Sequence, residues 1–199
     1  MKHVKILSII TFCLTLFLVG CEKDLNVLPQ DKMSKDDFLA EPLYAVEVVN
    51  SAYNQMLSFE MYGFPWIGVT SITSDDADKG SSDGDAGTDK DKLDDLAFDK
   101  SLRSFNDVWK RRYEGIYRCN EGIYYLEKVN LEENIKNRYI GELKFLRAMF
   151  YFDLVRCFGG VPVVVEKLDF KEEATVNQVV YSRKTKAETY AQIEKDLMD

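Results

Sequence analysis

Apolar side chains recur at three- and four-residue spacing in four stretches of the chain, the period of one face of an α-helix. The first, Ala45, Val46, Val49, Ala52, Tyr53, Met56 and Leu57, predicts a helix over about 42–60, with Pro42 in its first turn. Ser34 followed by Asp37 has the look of a capping box just upstream. The second stretch sets Trp109, Tyr113, Ile116, Tyr117, Asn120, Ile123, Tyr124 and Leu126 on one side of a helix of about 25 residues starting near Asn106. In the third, Ile135, Tyr139, Ile140, Leu143, Leu146, Phe150, Tyr151, Leu154 and Val155 form a buried stripe, with Asn130 and Glu133 as its cap. Gly159-Gly160 supplies a positive-φ stop, and Val161-Pro162 forces an extended exit, so 161–165 is a short strand or extended piece. Thr185 and Glu188 cap a fourth helix that turns Ala187, Tyr190, Ile193 and Leu197 inward.

Two stretches lack this period. Glu60–Thr70, "EMYGFPWIGVT", is broken by Gly63 and Pro65 and reads as aromatic and irregular. Residues 71–95 are dense in Asp, Gly and Ser and read as a solvent-facing loop, because such a composition buries no core. The chain stops at Asp199 inside the fourth helical pattern, and a helix cut mid-pattern is expected to belong to a truncated chain. Helix pairs joined by short turns can stack as tetratricopeptide arrays do. Ala148 with Phe152 matches the A-x₃-F element of that repeat, although no clean period of about 34 residues is visible.

The N-terminus sets the compartment. Lys2, His3 and Lys5 precede an apolar run from Ile6 to Val19 that is too short to span a bilayer, the arrangement of a secretory signal. Leu18-Val19-Gly20-Cys21 resembles the lipobox of bacterial lipoproteins, which implies cleavage before Cys21 and acylation there. Several acyl chains anchor a protein stably where one does not. The expected division is a signal peptide over 1–20, a lipid-anchored linker over 21–33 and a helical body over 34–199.

Loss of Lys2 and Lys5 leaves 24 basic against 34 acidic residues, a net charge of −10. So acidic a body is a poor partner for nucleic acid, whose affinity rests on neutralised phosphates. The sole histidine, His3, leaves with the signal, which excludes Ser-His and Cys-His catalysis and any His-containing zinc site. Of common hydrolytic designs, mainly a carboxylate pair survives. Cys119 and Cys157 sit 16 residues out of register if two antiparallel helices turn near Asn130, roughly 24 Å, so free thiols are expected.

"GELKFLRAMFYFDLVRCFGGVPVVV" resembles the signature segment of SusD/RagB lipoproteins, through Glu142, Phe145, Leu146, Arg147, Ala148, Tyr151, Phe152, Leu154, Val155, Phe158, Gly159, Val161 and Pro162. "SDDADKG" at 74–80, "WKRRYEGIYRCNEGI" at 109–123 and "YAQIEKDLMD" at 190–199 resemble further stretches of that family. The resemblance implies a mainly α fold of tetratricopeptide-like helix pairs with long irregular loops. It also implies a lipid-anchored outer-membrane protein that binds glycan for a SusC-like TonB-dependent transporter, without catalysis. The signature segment itself reads as scaffold rather than site.

Sugar recognition needs aromatic faces for the apolar side of a pyranose and polar groups for its hydroxyls. Tyr62, Phe64 and Trp66 are candidates for the first, and Asp75, Asp76 and Lys79 for the second. Two plainer readings stand beside these: the aromatics plug the end of a helix pair, and Ser74–Asp76 is a turn. Trp109 reads as core. Asp83, Asp85, Asp89, Asp91 and Asp94 alternate like calcium ligands, but Gly87 and Thr88 are misplaced and no twelfth-position Glu follows; a hydrated charge run is the plainer reading. No cofactor is expected beyond lipid at Cys21. The competing functions are a helical docking scaffold without glycan affinity and a carboxylate-pair glycosidase.

Overall fold

The computed structural model describes residues 37, 41–82, 88–168 and 182–199. Cys21, the signal and linker segments and Ser34 of the expected first cap lie outside these residues. Every element below belongs to the unit Leu39–Asp199.

A 3₁₀ turn, Pro42–Tyr44, leads into α1 (Ala45–Gln55). Val49 and Ala52 are buried, whereas Leu57 stands 83 % exposed within a turn at 56–58, and α1 ends five residues before the expected 60. The expected irregular stretch is in fact helical in short pieces: α2 (Phe59–Tyr62), α3 (Phe64–Ile67) and a π turn, Gly68–Ile72. Pro65 is tolerated because it falls in the first turn of α3, where its missing N–H has no intrahelical partner to lose.

Residues 71–95 correct the loop expectation more sharply. They carry α4 (Thr88–Asp94), whose Leu93 is fully buried against Ile72, Leu102 and Phe105 in a small second core. Beside it, the ammonium of Lys90 is buried between the carboxylate of Asp89 (2.9 Å) and the hydroxyl of Ser104 (2.5 Å).

The two long helices, α5 (Arg103–Leu126) and α6 (Glu133–Phe158), run antiparallel. Their register is fixed by Arg112 against Asp153, Gly115 against Phe150 and Gly122 against Leu143. A Cβ on Gly115 would fall 2.5 Å from the Phe150 ring, so the helices approach as closely as they do only because that position has no side chain. In this register Cys157 lies eleven residues from the level of Cys119, about 16 Å along the helix, and both thiols are free. The offset is smaller than the expected 24 Å because the helices turn later than Asn130. The Asn130–Glu133 cap does not form; α6 starts after Glu132, which makes no side-chain cap bond.

Gly159 takes φ +74° and stops α6, as expected. The exit 161–165 is extended without pairing into a strand, and its Val164 is held at both backbone groups by the Tyr151 hydroxyl (2.6 and 2.8 Å). The Thr185–Glu188 capping box forms and starts α7 (Lys186–Met198). α7 packs on α6, but through Thr189, Ile193 and Asp196; Ala187, Tyr190 and Leu197, expected inward, are exposed. Asp196 is drawn in by Arg147, which pairs with it bidentately at 2.8 and 2.6 Å. With α1 packed on both α5 and α6, the result is a mainly α array of tetratricopeptide-like helix pairs.

Candidate functional site

Tyr62 and Trp66 converge on the protein's own Arg112. That guanidinium is fully buried, 4.2 Å from the Trp66 ring centroid and 5.2 Å from that of Tyr62. Asp153 accepts from Arg112 Nη2 at 3.2 Å, from Arg156 Nη2 at 3.1 Å and from the Tyr62 hydroxyl at 3.2 Å. Burial works against the charge of Arg112, and Asp153 offsets part of that penalty. The Tyr62 hydroxyl is pushed up to about 12, first by burial and then by the Asp153 charge. These two aromatic rings roof a buried charge cluster.

The other four candidates part company with them. Phe64 is 42 % exposed, with the Lys90 ammonium 5.0 Å from its ring centroid. Asp75 and Asp76 are exposed, and the Asp76 N–H donates to the Ser74 hydroxyl at 3.3 Å, the geometry of a turn. Lys79 is buried along its side chain: its ammonium pairs with Asp91, and its N–H donates to Asp94 at 3.0 Å. Asp89, Asp91 and Asp94 of the acidic run thus serve Lys90, Ser104 and Lys79, while Asp83 and Asp85 lie outside the described residues. Among the described residues, no three His, Cys, Asp or Glu side chains cluster as metal ligands would.

A concavity of about 580 Å³ opens along α5, between Trp109, Tyr113 and Tyr117 on one wall and Pro162, Val164 and Glu166 on the other. The three rings recur every fourth residue, so they stack along a single helix face. The exit segment forms the second wall because polar groups pin it. The Tyr113 hydroxyl donates to Pro162 O at 2.7 Å, Asn120 Nδ2 to Val164 O at 2.9 Å, and Arg147 Nη1 to Val165 O at 3.1 Å. Burial holds the Tyr113 hydroxyl well above the usual phenol range, so it remains a donor. Asn106, Lys110 and Glu114 supply polar groups along the rim. Aromatic walls with a few polar groups suit a saccharide, whose ring has an apolar face and a hydroxylated edge. Sequence reasoning had placed Trp109 in the core; its ring does contact Phe158 (5.2 Å), yet it remains part-exposed and lines the groove.

The fold and this groove define a helical-repeat scaffold with an aromatic-lined concavity. A family model described as "Starch-binding associating with outer membrane" matches residues 28–199, and the chain belongs to this SusD-like family. SusD-like protein P2 of Formosa agariphila is 27% identical over 164 residues, covering 82% of this chain and 31% of the relative. A laminarin-binding SusD-like protein of known structure is 26% identical, with a TM-score of 0.68 over 79% of this chain and 33% of the other. Surface glycan-binding protein A of Bacteroides uniformis, at 20% identity, shares the fold with a TM-score of 0.66 over 78% of this chain and 33% of its own. The chain therefore spans about a third of the length of these relatives.

Proposed function

We propose that the protein binds glycan at the cell surface and passes oligosaccharides to a SusC-like TonB-dependent outer-membrane transporter. Acyl chains on Cys21 hold it to the outer membrane, and no other prosthetic group takes part. The observation that carries this reading is the SusD-like family match over 28–199. The aromatic groove on α5 supports it as the ligand surface, with Tyr117, Trp109 and Tyr113 as stacking faces. Phe64, Asp75 and Asp76 are exposed and are proposed as separate contact residues outside this groove, while Tyr62, Trp66 and Lys79 are engaged by partners within the protein.

The reading is one of binding without cleavage. Affinity electrophoresis of the full-length protein in gels carrying laminarin, starch or xylan tests the reading, together with chromatography of the incubated sugars. The expected result is retardation by at least one glycan and an unchanged sugar profile. Released short sugars would make the protein an enzyme, and co-purification with a transporter without any retardation would make it a docking scaffold.

A further inference from the structure

Trp109 stands between two concavities. It lines both the aromatic groove and a pocket of about 410 Å³, within the size range of small-ligand sites. Phe105 and Phe158 complete the aromatic floor of this second pocket, with Phe158 edge-on to Trp109 at 5.2 Å. Its charged lining is all of one sign. Lys100 and Arg183 contribute the cations, and no carboxylate among the described residues lines it, in a chain whose formal net charge is −8.

Arg183 is held in place. Its Nη1 donates to Phe158 O at 3.3 Å and to Gly160 O at 3.1 Å, and its guanidinium carbon lies 5.3 Å from the Trp109 centroid. Its Nε and Nη2 have no acceptor among the described residues, which leaves two parallel donors of the kind that bind a carboxylate or sulfate bidentately. Neither Arg183 nor Lys100 makes an ion pair among the described residues. Asp99, beside Lys100, accepts from the Ser101 N–H and hydroxyl, and Asp107 pairs with Arg103. The Cys157 thiol in the wall is pushed upward by burial and stays neutral.

We infer that this pocket is an anionic subsite: it takes the carboxylate or sulfate of an acidic saccharide whose neighbouring units lie across Trp109 in the aromatic groove. The inference rests on the glycan-binding reading above. The bound class then includes uronate-bearing or sulfated oligosaccharides, held more tightly than their neutral counterparts.

Matched probe pairs separate the possibilities: dextran sulfate against dextran, and polygalacturonate against its methyl ester, titrated into the full-length protein. Tighter binding to the anionic member of at least one pair is expected, and which pair responds tells sulfate from carboxylate. Lys100→Glu and Arg183→Gln should each weaken that binding about tenfold, the loss of one charge-assisted hydrogen bond, and leave laminarin binding unchanged. Lys100 is exposed in a turn, so Lys100→Glu carries the test if Arg183→Gln disturbs the chain where it crosses Gly160. Equal binding within both pairs overturns the subsite, as does an equal loss from Lys136→Glu on α6, which would mark the attraction as one of net charge. In either case laminarin binding would still support the glycan reading. Absence of binding to every glycan overturns both.

Discussion

Arg112 and Asp153 illustrate how single residues hold this fold. A guanidinium with no solvent exposure is sustainable only because Asp153 faces it across the α5–α6 contact and two aromatic rings cover it. Asp153→Ala would strand that charge, and breaking a buried pair costs about 3–5 kcal/mol; urea unfolding should show a loss of that size, and a loss near zero would mean the pair contributes nothing. Asp89 sets a pH dependence. Partial burial pushes its carboxyl upward, but donation from Ser104 and Lys90 more than offsets this and leaves it below the ordinary aspartate range. A lowered folded pKa contributes stability that is complete above the unfolded value and is lost as pH falls through the folded one. The melting temperature should therefore drop in acid, and Asp89→Asn should start lower at neutral pH and lose less on acidification.

Among the elements, α4 ends in a way that invites a substitution. Its last turn closes by Leu96 N–H to Leu93 O and Ala97 N–H to Lys92 O, a Schellman motif, and Leu96 at its left-handed position has φ +52°. Glycine normally fills that position, because a Cβ there costs about 1 kcal/mol. Leu96 is 64 % exposed and packs little, so Leu96→Gly should stabilise the protein by about that amount in a thermal melt. The same helix shows where sequence reading stops. α5 and α6 were legible because their apolar residues repeat every three or four positions, and α7 because Thr185 and Glu188 announce its start. α4 offers one apolar residue, Leu93, among aspartates and lysines, and only contact with Ile72 and Leu102 makes it core. The inward face of α7 was misjudged for a related reason: Asp196 is inside because Arg147, some fifty residues earlier, pairs with it. Arg112 hid in a run of basic residues, so nothing near Tyr62 and Trp66 in sequence disclosed what those rings cover. Trp109, Tyr113 and Tyr117 were visible as a stripe, but a buried stripe and a half-buried wall have the same spacing.

At the scale of the whole molecule, the signature segment of α6 builds the structure that a ligand site needs. Arg147 and Tyr151 fix the exit segment at Val164 and Val165, and that segment becomes the second wall of the groove on α5. No helix among the described residues is long and apolar enough to cross a membrane. The central claim is that glycan is held on the aromatic face of α5. Tyr117 tests it with little disturbance, since its hydroxyl donates to Glu121 on its own helix (2.9 Å). The most direct measurement is calorimetric titration of the retained glycan into the full-length protein and its Tyr117→Ala variant. Saturable binding weakened about tenfold or more in the variant, as truncation of an aromatic contact residue entails, with the melting temperature little changed, is the predicted result. Equal affinity in the two proteins would contradict the account.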